Sequence, residues 1–202
     1  METEPRRRPS MHHDWHSAEY VADWIAHDMA RDPARRPRLQ SMLAAAPFPR
    51  DAAIKVLDVG AGYGAVTEEV LKIFPQARVT LQDYSTPMLG EARRRLAGHA
   101  AQLRYVTANL TDPAWPDAVG GPFDLAVSAI ALHNLRDLPA IFACYRAIHD
   151  LLRPAGCFLD YDLFFAGVEG HIAELRAAGF AAVDCPWQEP PRAILVAACS
   201  AG

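Results

Sequence analysis

Four cysteines in 202 residues, Cys144, Cys157, Cys185 and Cys199, are too scattered for a disulfide framework, and no two stand in C-x-x-C spacing. Three of them sit in apolar stretches as small core residues do, so the pattern excludes a redox dithiol and suits a reducing compartment. Long hydrophobic runs are missing too. No stretch of about eighteen apolar residues is available to cross a bilayer, and no apolar segment follows the charged N-terminus as a secretion signal requires. The expected setting is cytoplasmic, with no membrane partner. Basic charge is scarce: the net charge is −4, and the one dense basic run, Arg6–Arg8, lies in a proline-flanked tail. That leaves no footprint for nucleic acid. No His/Cys/Asp group has zinc-ligand spacing, and the cluster His12, His13, Asp14 and His16 falls in a polar stretch that reads as solvated loop, so no metal is expected. Internal repeats and low-complexity segments are absent as well.

What is present is enough apolar material for one substantial core, 51% of residues. Residues 1–16 read as a flexible tail. From Ser17, a good N-cap, Tyr20, Val21, Trp24 and Ile25 recur at helical spacing, and a second helix over roughly 35–46 stops at Pro47. These helices form an N-terminal cap, 17–50, outside the sheet. From Ile54 strands and helices alternate: strands near 54–59, 78–83, 102–107, 123–129 and 156–161, with helices near 64–74, 86–97, 138–152 and 168–178 between or after them. Such alternation implies a doubly wound parallel sheet with helices on both faces. The last two strands, about 180–187 and 192–199, are separated only by Gln188, Glu189, Pro190 and Pro191, too few residues for a crossover helix. They must run antiparallel. The expected fold is α/β: seven strands, mostly parallel, ending in an antiparallel hairpin, with 51–202 as the main domain.

The chemistry concentrates where the first strand ends. Val56 to Gly64 read VLDVGAGYG, an apolar strand running into a turn whose glycines let the main chain bend sharply and approach a ligand closely. Asp83 closes the next strand, where a carboxylate can accept from both hydroxyls of a ribose. Gly60, Gly62 and Ala65 also satisfy the spacing of a dinucleotide site, so the turn alone leaves an oxidoreductase open. Asp58 before the glycines, the G-x-G-x-G run and the terminal hairpin point elsewhere.

In these segments, together with VTLQDYSTPMLGEAR (79–93), YVTANLTD (105–112), FDLAVSAIALHNL (123–135), LLRPAGCFL (151–159) and HIAELRAAGF (171–180), the chain resembles the class I S-adenosylmethionine-dependent methyltransferases, of the bacterial small-molecule type. The matching stretches cover most of residues 54–199 in the family's order. The resemblance implies a Rossmann-like fold, S-adenosyl-L-methionine as cofactor, and methyl transfer to a small molecule by in-line displacement. It also implies that Gly60, Ala61, Gly62 and Gly64 wrap the cofactor's amino-acid end. Asp58 would contact the ammonium, directly or through water, or tie down the loop. Asp83 would hold the ribose, and Tyr84 or Met88 would lie on the adenine face. Asn109 and Leu110 stand where many relatives have an acid that reads the adenine amino group; the Asn109 amide keeps an acceptor oxygen and adds a donor. Ser128 is a further cofactor candidate. His133 and Asn134, leaving the fourth strand, are the catalytic candidates, His133 as a base for an acceptor proton. Acceptor contacts would come from Trp15, Tyr20 and Trp24 in the cap and from Asp160, Tyr161, Asp162, Phe164 and Phe165. The connection from Phe165 to Val168 is short for this family. It suits an open site, a site completed by a second subunit in a homodimer, or a departure from ordinary transfer such as cyclisation, elimination or cofactor binding alone.

Overall fold

The computed structural model describes residues 13–30 and 32–201. The basic run Arg6–Arg8 and most of the expected tail lie outside them. Residues 13–16 are packed against the cap and the sheet: the Trp15 carbonyl accepts from the Ser85 hydroxyl at 2.5 Å, and the Trp15 and Trp24 rings meet edge to face with centroids 5.2 Å apart.

Helix α1 (Ala18–Met29) starts where the Ser17 hydroxyl accepts from the Tyr20 amide at 3.2 Å, satisfying one of the donors a helix leaves orphaned. Helix α2 (Asp32–Leu43) stops short of the expected position 46, because Ala45 and Ala46 bond three residues back rather than four. The sheet is then built from β1 (Lys55–Val59), α3 (Ala65–Ile73), β2 (Arg78–Asp83), α4 (Thr86–Arg95), β3 (Leu103–Thr107), α5 (Trp115–Val119), β4 (Phe123–Ala129), α6 (Leu138–Leu151), β5 (Leu152–Leu163), α7 (Glu169–Ala177), β6 (Ala182–Glu189) and β7 (Arg192–Ala198). One short element, α5, lies within a stretch whose proline and scattered apolar residues gave no period to read. Strand β5 begins earlier than position 156, but its register on β4 shifts between Phe123 and Leu125, and regular pairing resumes at Cys157.

The strand order is β3-β2-β1-β4-β5-β7-β6. The first five strands are parallel, and β7 runs antiparallel to both β5 and β6. The terminal hairpin is therefore present as expected. Alternation along β1 sends Val56 into a cluster with Leu39, Met42 and Leu43 of α2 and with Val66 and Val70 of α3. Leu57 and Val59 go to the opposite face, with Tyr145 and Ile148 of α6 and Leu175 of α7. Burying a side chain such as Leu57 contributes about 1.5–3 kcal/mol. Helix α2 thus shares its core with the sheet, whereas α1 packs through a smaller cluster of Val21, Tyr63 and Met88 with Trp15 and Trp24 at its edge.

Candidate functional site

From β1 the chain winds outward through β2 to β3, then returns to lay β4 on the other side of β1. The loops leaving β1 and β4 diverge at this point, opening a crevice beyond the strand ends. The crevice is a cavity of about 350 Å³, within the span of roughly 300–1,000 Å³ usual for small-molecule sites. The β1 loop lines it with Gly60, Ala61, Gly62 and Tyr63, and β2 and its exit with Gln82, Asp83, Tyr84 and Met88. The β3 exit adds Asn109, Leu110 and Thr111; the β4 exit adds Ala129, Ile130, Ala131, Asn134 and Leu135; the cap adds Trp15, Trp24, Arg35 and Leu39.

The loop is held from β2. Gly60 donates its amide to Gln82 Oε1 at 3.0 Å, and Gly62 donates to Asp83 Oδ2 at 2.9 Å. Gly60 has φ +65°, and a Cβ there would lie 2.5 Å from that of Ala131, so a side chain would drive apart the two loops that form the crevice. Gly62 has φ +54° and faces open space, leaving its backbone bare toward the cavity. Asp83 Oδ1 accepts from the Ser85 amide at 2.8 Å. Both carboxylate oxygens are held by backbone amides, and a carboxylate has about four acceptor sites, which leaves room for two neighbouring ribose hydroxyls. Burial pushes the Asp83 pKa up, and the Ser85, Gly62 and Tyr84 amides pull it back. Bare main chain and a cavity-facing carboxylate, fixed to one another, are what an adenosyl ligand requires.

Among the other expected site residues, Asp58 is fully buried and does not reach the cavity wall. Its Oδ2 accepts from the Thr67 hydroxyl at 2.6 Å, fastening α3 to β1 behind the loop. Burial raises its pKa to about 7 against the pull of the Thr67 hydroxyl and amide, and its Oδ1 has no hydrogen-bond partner among the described residues. Ser128 is also buried behind the wall, on the side facing α6, because it falls on the opposite parity to Val127 along β4. Gly64 starts α3 with φ +81° and lies outside the lining. Met88 does touch the cavity, but it is 3% exposed and seated against Val21 and Tyr63. Tyr84, 37% exposed, is the more open of the two. Asn109 Oδ1 is already occupied by the amide and hydroxyl of Thr111, at 3.0 and 2.9 Å, so the amide nitrogen is the group it can offer a ligand. Asn134 lines the cavity; His133 is turned aside, with Nδ1 at 2.5 Å from Asp162 Oδ1.

Sequence reasoning missed Gln82, Arg35 and Tyr63. Gln82 also donates from Nε2 to the Ala108 carbonyl at 2.6 Å, tying three strand exits together. Arg35 bonds Asp28 Oδ1 at 3.0 Å and the Tyr63 hydroxyl at 2.7 Å, and that hydroxyl donates to Asp28 Oδ2 at 2.8 Å. A polar residue one position before an acid at a strand end could have flagged Gln82. Tyr63 stands 28 positions from Arg35 and 35 from Asp28, so the triad left no local sign.

A family model described as a methyltransferase domain matches residues 56–156, from β1 through the start of β5. The chain belongs to the class I S-adenosylmethionine-dependent methyltransferases. It is 40% identical over 88 residues to a release factor glutamine methyltransferase of Chlorobaculum tepidum, a match covering 43% of this chain and 30% of that protein. It is 41% identical over 75 residues to a trans-aconitate 2-methyltransferase of Rhodopseudomonas palustris, covering 37% and 27%. The chain thus spans less than a third of the length of these two relatives. An O-methyltransferase family protein from Burkholderia thailandensis superimposes with a TM-score of 0.73 at 19% identity, over 94% of this chain and 61% of that one. That likeness is one of fold. Within this methyltransferase fold, no helix among the described residues is long and apolar enough to cross a membrane.

Proposed function

We propose that this chain binds S-adenosylmethionine in the β1–β4 crevice and transfers its methyl group to a small-molecule acceptor entering between the N-terminal cap and the β4 exit. The observation that supports this most directly is the bond from the Gly62 amide to Asp83, which sets bare main chain and a carboxylate side by side on one wall. When bound, the cofactor supplies an electrophilic methyl group on a positively charged sulfur. Asp83 accepts from the ribose hydroxyls, the Gly60–Gly62 backbone holds the amino-acid end, and Asp58 keeps that backbone in place from behind. Tyr84 and Met88 border the adenine on one side, and Asn109 with Leu110 meets its edge.

Cap residues Trp15 and Trp24 line the cavity beside Tyr63 of the glycine loop, where they narrow how an acceptor can approach. Alignment of this kind can supply much of the rate for an in-line displacement. Calorimetry with S-adenosylhomocysteine, followed by transfer of isotope-labelled methyl to a mixture of small acceptors, tests the reading. Absence of binding heat from the folded protein removes it; binding without transfer leaves a cofactor-binding protein.

A further inference from the structure

Away from the cofactor crevice, at the opposite end of the sheet, the starts of β1 to β4 surround a cleft of about 280 Å³. Lys55 opens β1 and Arg78 opens β2. The two are register partners in a parallel pair, so their exposed side chains stand side by side on one face. Arg104 of β3 is registered with Thr80, two residues along β2 from Arg78, and joins them on that face. All three cations line the cleft, and no aspartate or glutamate does. Neither the Lys55 ammonium nor the Arg78 guanidinium makes a hydrogen bond or an ion pair among the described residues. Arg104 is held by the last turn of α5: Nη1 donates to the Val119 carbonyl at 2.6 Å and Nη2 to that of Ala118 at 2.8 Å, which uses two of its five N–H groups.

We propose that this cleft is a binding site for a small phosphate monoester, separate from the cofactor crevice. Like charges set side by side repel, and in a protein of net charge −4 these three cations meet no carboxylate in the walls around them. An anion placed between them turns the repulsion into attraction. The ammonium supplies a compact charge and each guanidinium a planar pair of donors, a set that matches the oxygens of a phosphate. Val119, Pro122 and Phe123 give the same cleft an apolar wall. That wall suits the carbon skeleton of an ester and adds nothing to the hold on free phosphate.

The polar groups nearby are already committed. Asp124 of β4 accepts the Lys55 amide on Oδ2 at 2.7 Å and Arg153 on Oδ1 at 2.9 Å, and it does not line the cleft. Gln102 does, but its Nε2 donates to the Pro75 and Ala77 carbonyls at 2.8 and 2.9 Å and its Oε1 meets His99 Nδ1 at 3.2 Å, so it serves as wall rather than ligand. With Arg104 and Gln102 both tied to main chain, the cleft is preformed. No local motif announces it, since each cation comes from a different strand. Lys55 and Arg78 stand at the strand ends remote from Gly60 and Asp83, so both sites can be filled at once.

The test is a nitrogen-15 NMR titration of the native protein, at fixed ionic strength, with phenyl phosphate, benzoate and inorganic phosphate. Phenyl phosphate should give saturable shifts of the Leu103, Arg104 and Gly121 amides but not of Gly60 or Gly62, and saturating S-adenosylhomocysteine should leave those shifts in place. Benzoate and inorganic phosphate should bind more weakly. Lys55→Gln and Arg78→Gln should each weaken phenyl phosphate by about tenfold or more, the loss of one charge-assisted bond. The unfolding temperature of the ligand-free variants should stay level or rise, because each change relieves like-charge repulsion; a marked fall would assign the cations to the fold instead. Absence of saturable shifts, shifts centred on Gly60 and Gly62 or abolished by S-adenosylhomocysteine, benzoate or inorganic phosphate binding as tightly as phenyl phosphate, or affinity indifferent to both substitutions would each overturn the proposal.

Discussion

Asp83 is the residue on which binding should depend most. On the proposed reading it is shared between the loop and the ligand, so Asp83→Ala should remove the ribose bonds and also free the Gly62 and Ser85 amides. Loss of one hydrogen bond to a charged group costs about 1.5–3 kcal/mol, and calorimetry with S-adenosylhomocysteine should register at least one such loss; unchanged affinity refutes the assignment. Asp58 makes a prediction about pH. Its pKa is about 7 in the folded protein against 3.8 for the ordinary group, so between those values the folded state holds more protons than the unfolded one. Stability therefore falls as pH rises through that window. Asp160, whose pKa burial also raises, acts with the same sign, so Asp58→Asn should leave a shallower slope rather than none in denaturant titrations at pH 5 and pH 8. An unaltered slope would show that Asp58 is ionised throughout. The same feature predicts that binding a cationic ligand near pH 7 expels a proton from Asp58, seen as a binding enthalpy that depends on the ionisation heat of the buffer. At this scale the sequence located what the fold constrains: Gly60, with its positive φ and close approach to Ala131, and Asp83, whose carboxylate accepts from Gly62, stand at positions that few residue types tolerate. For Asp58 it left two roles open, and the bond from Thr67 sets that side chain behind the loop; Ser128 also lies behind the wall, because strand parity decides which side a side chain occupies.

Among the elements, the cap is the part least written in the sequence. Helical periodicity announced α1 and α2 but could not reveal what they lean on. In the structure Arg35 and Asp28 are paired at 2.7 Å and joined to Tyr63 of the glycine loop, with side chains only 14% and 10% exposed. Removing one member of so enclosed a pair leaves the other uncompensated, typically at about 3 kcal/mol or more. Asp28→Ala should therefore lower the urea midpoint, and because Arg35 and Tyr63 both line the cavity it should weaken cofactor binding as well. A stability loss with intact binding would mean that the cap and the loop are not coupled. By contrast, the hairpin of β6 and β7 was fully legible, because the distance between two strands in the chain decides whether a crossover can fit.

For the whole molecule, the sharing of one core by α2 and the sheet bears on how it unfolds. Leu39, Met42 and Leu43 pack with Val56 and Val70, so α2 has no separate hydrophobic centre to melt from. Differential scanning calorimetry should give one transition for 17–50 and the sheet together, with saturating S-adenosylhomocysteine raising it; at one hundred times the dissociation constant the added stability is about 2.7 kcal/mol. Two resolved transitions would mark the cap as an independent unit. The strand order carries one more implication. The sheet's final strand in sequence, β7, is inserted between β5 and β6 rather than added at the rim. During synthesis β6 emerges with no neighbour to join, and the seam closes only after residues 192–198 have left the ribosome. A chain halted at residue 190 would carry a ready-made acceptor edge on β5, open to any stray extended segment, so protection of that edge from aggregation hinges on the seven residues of β7.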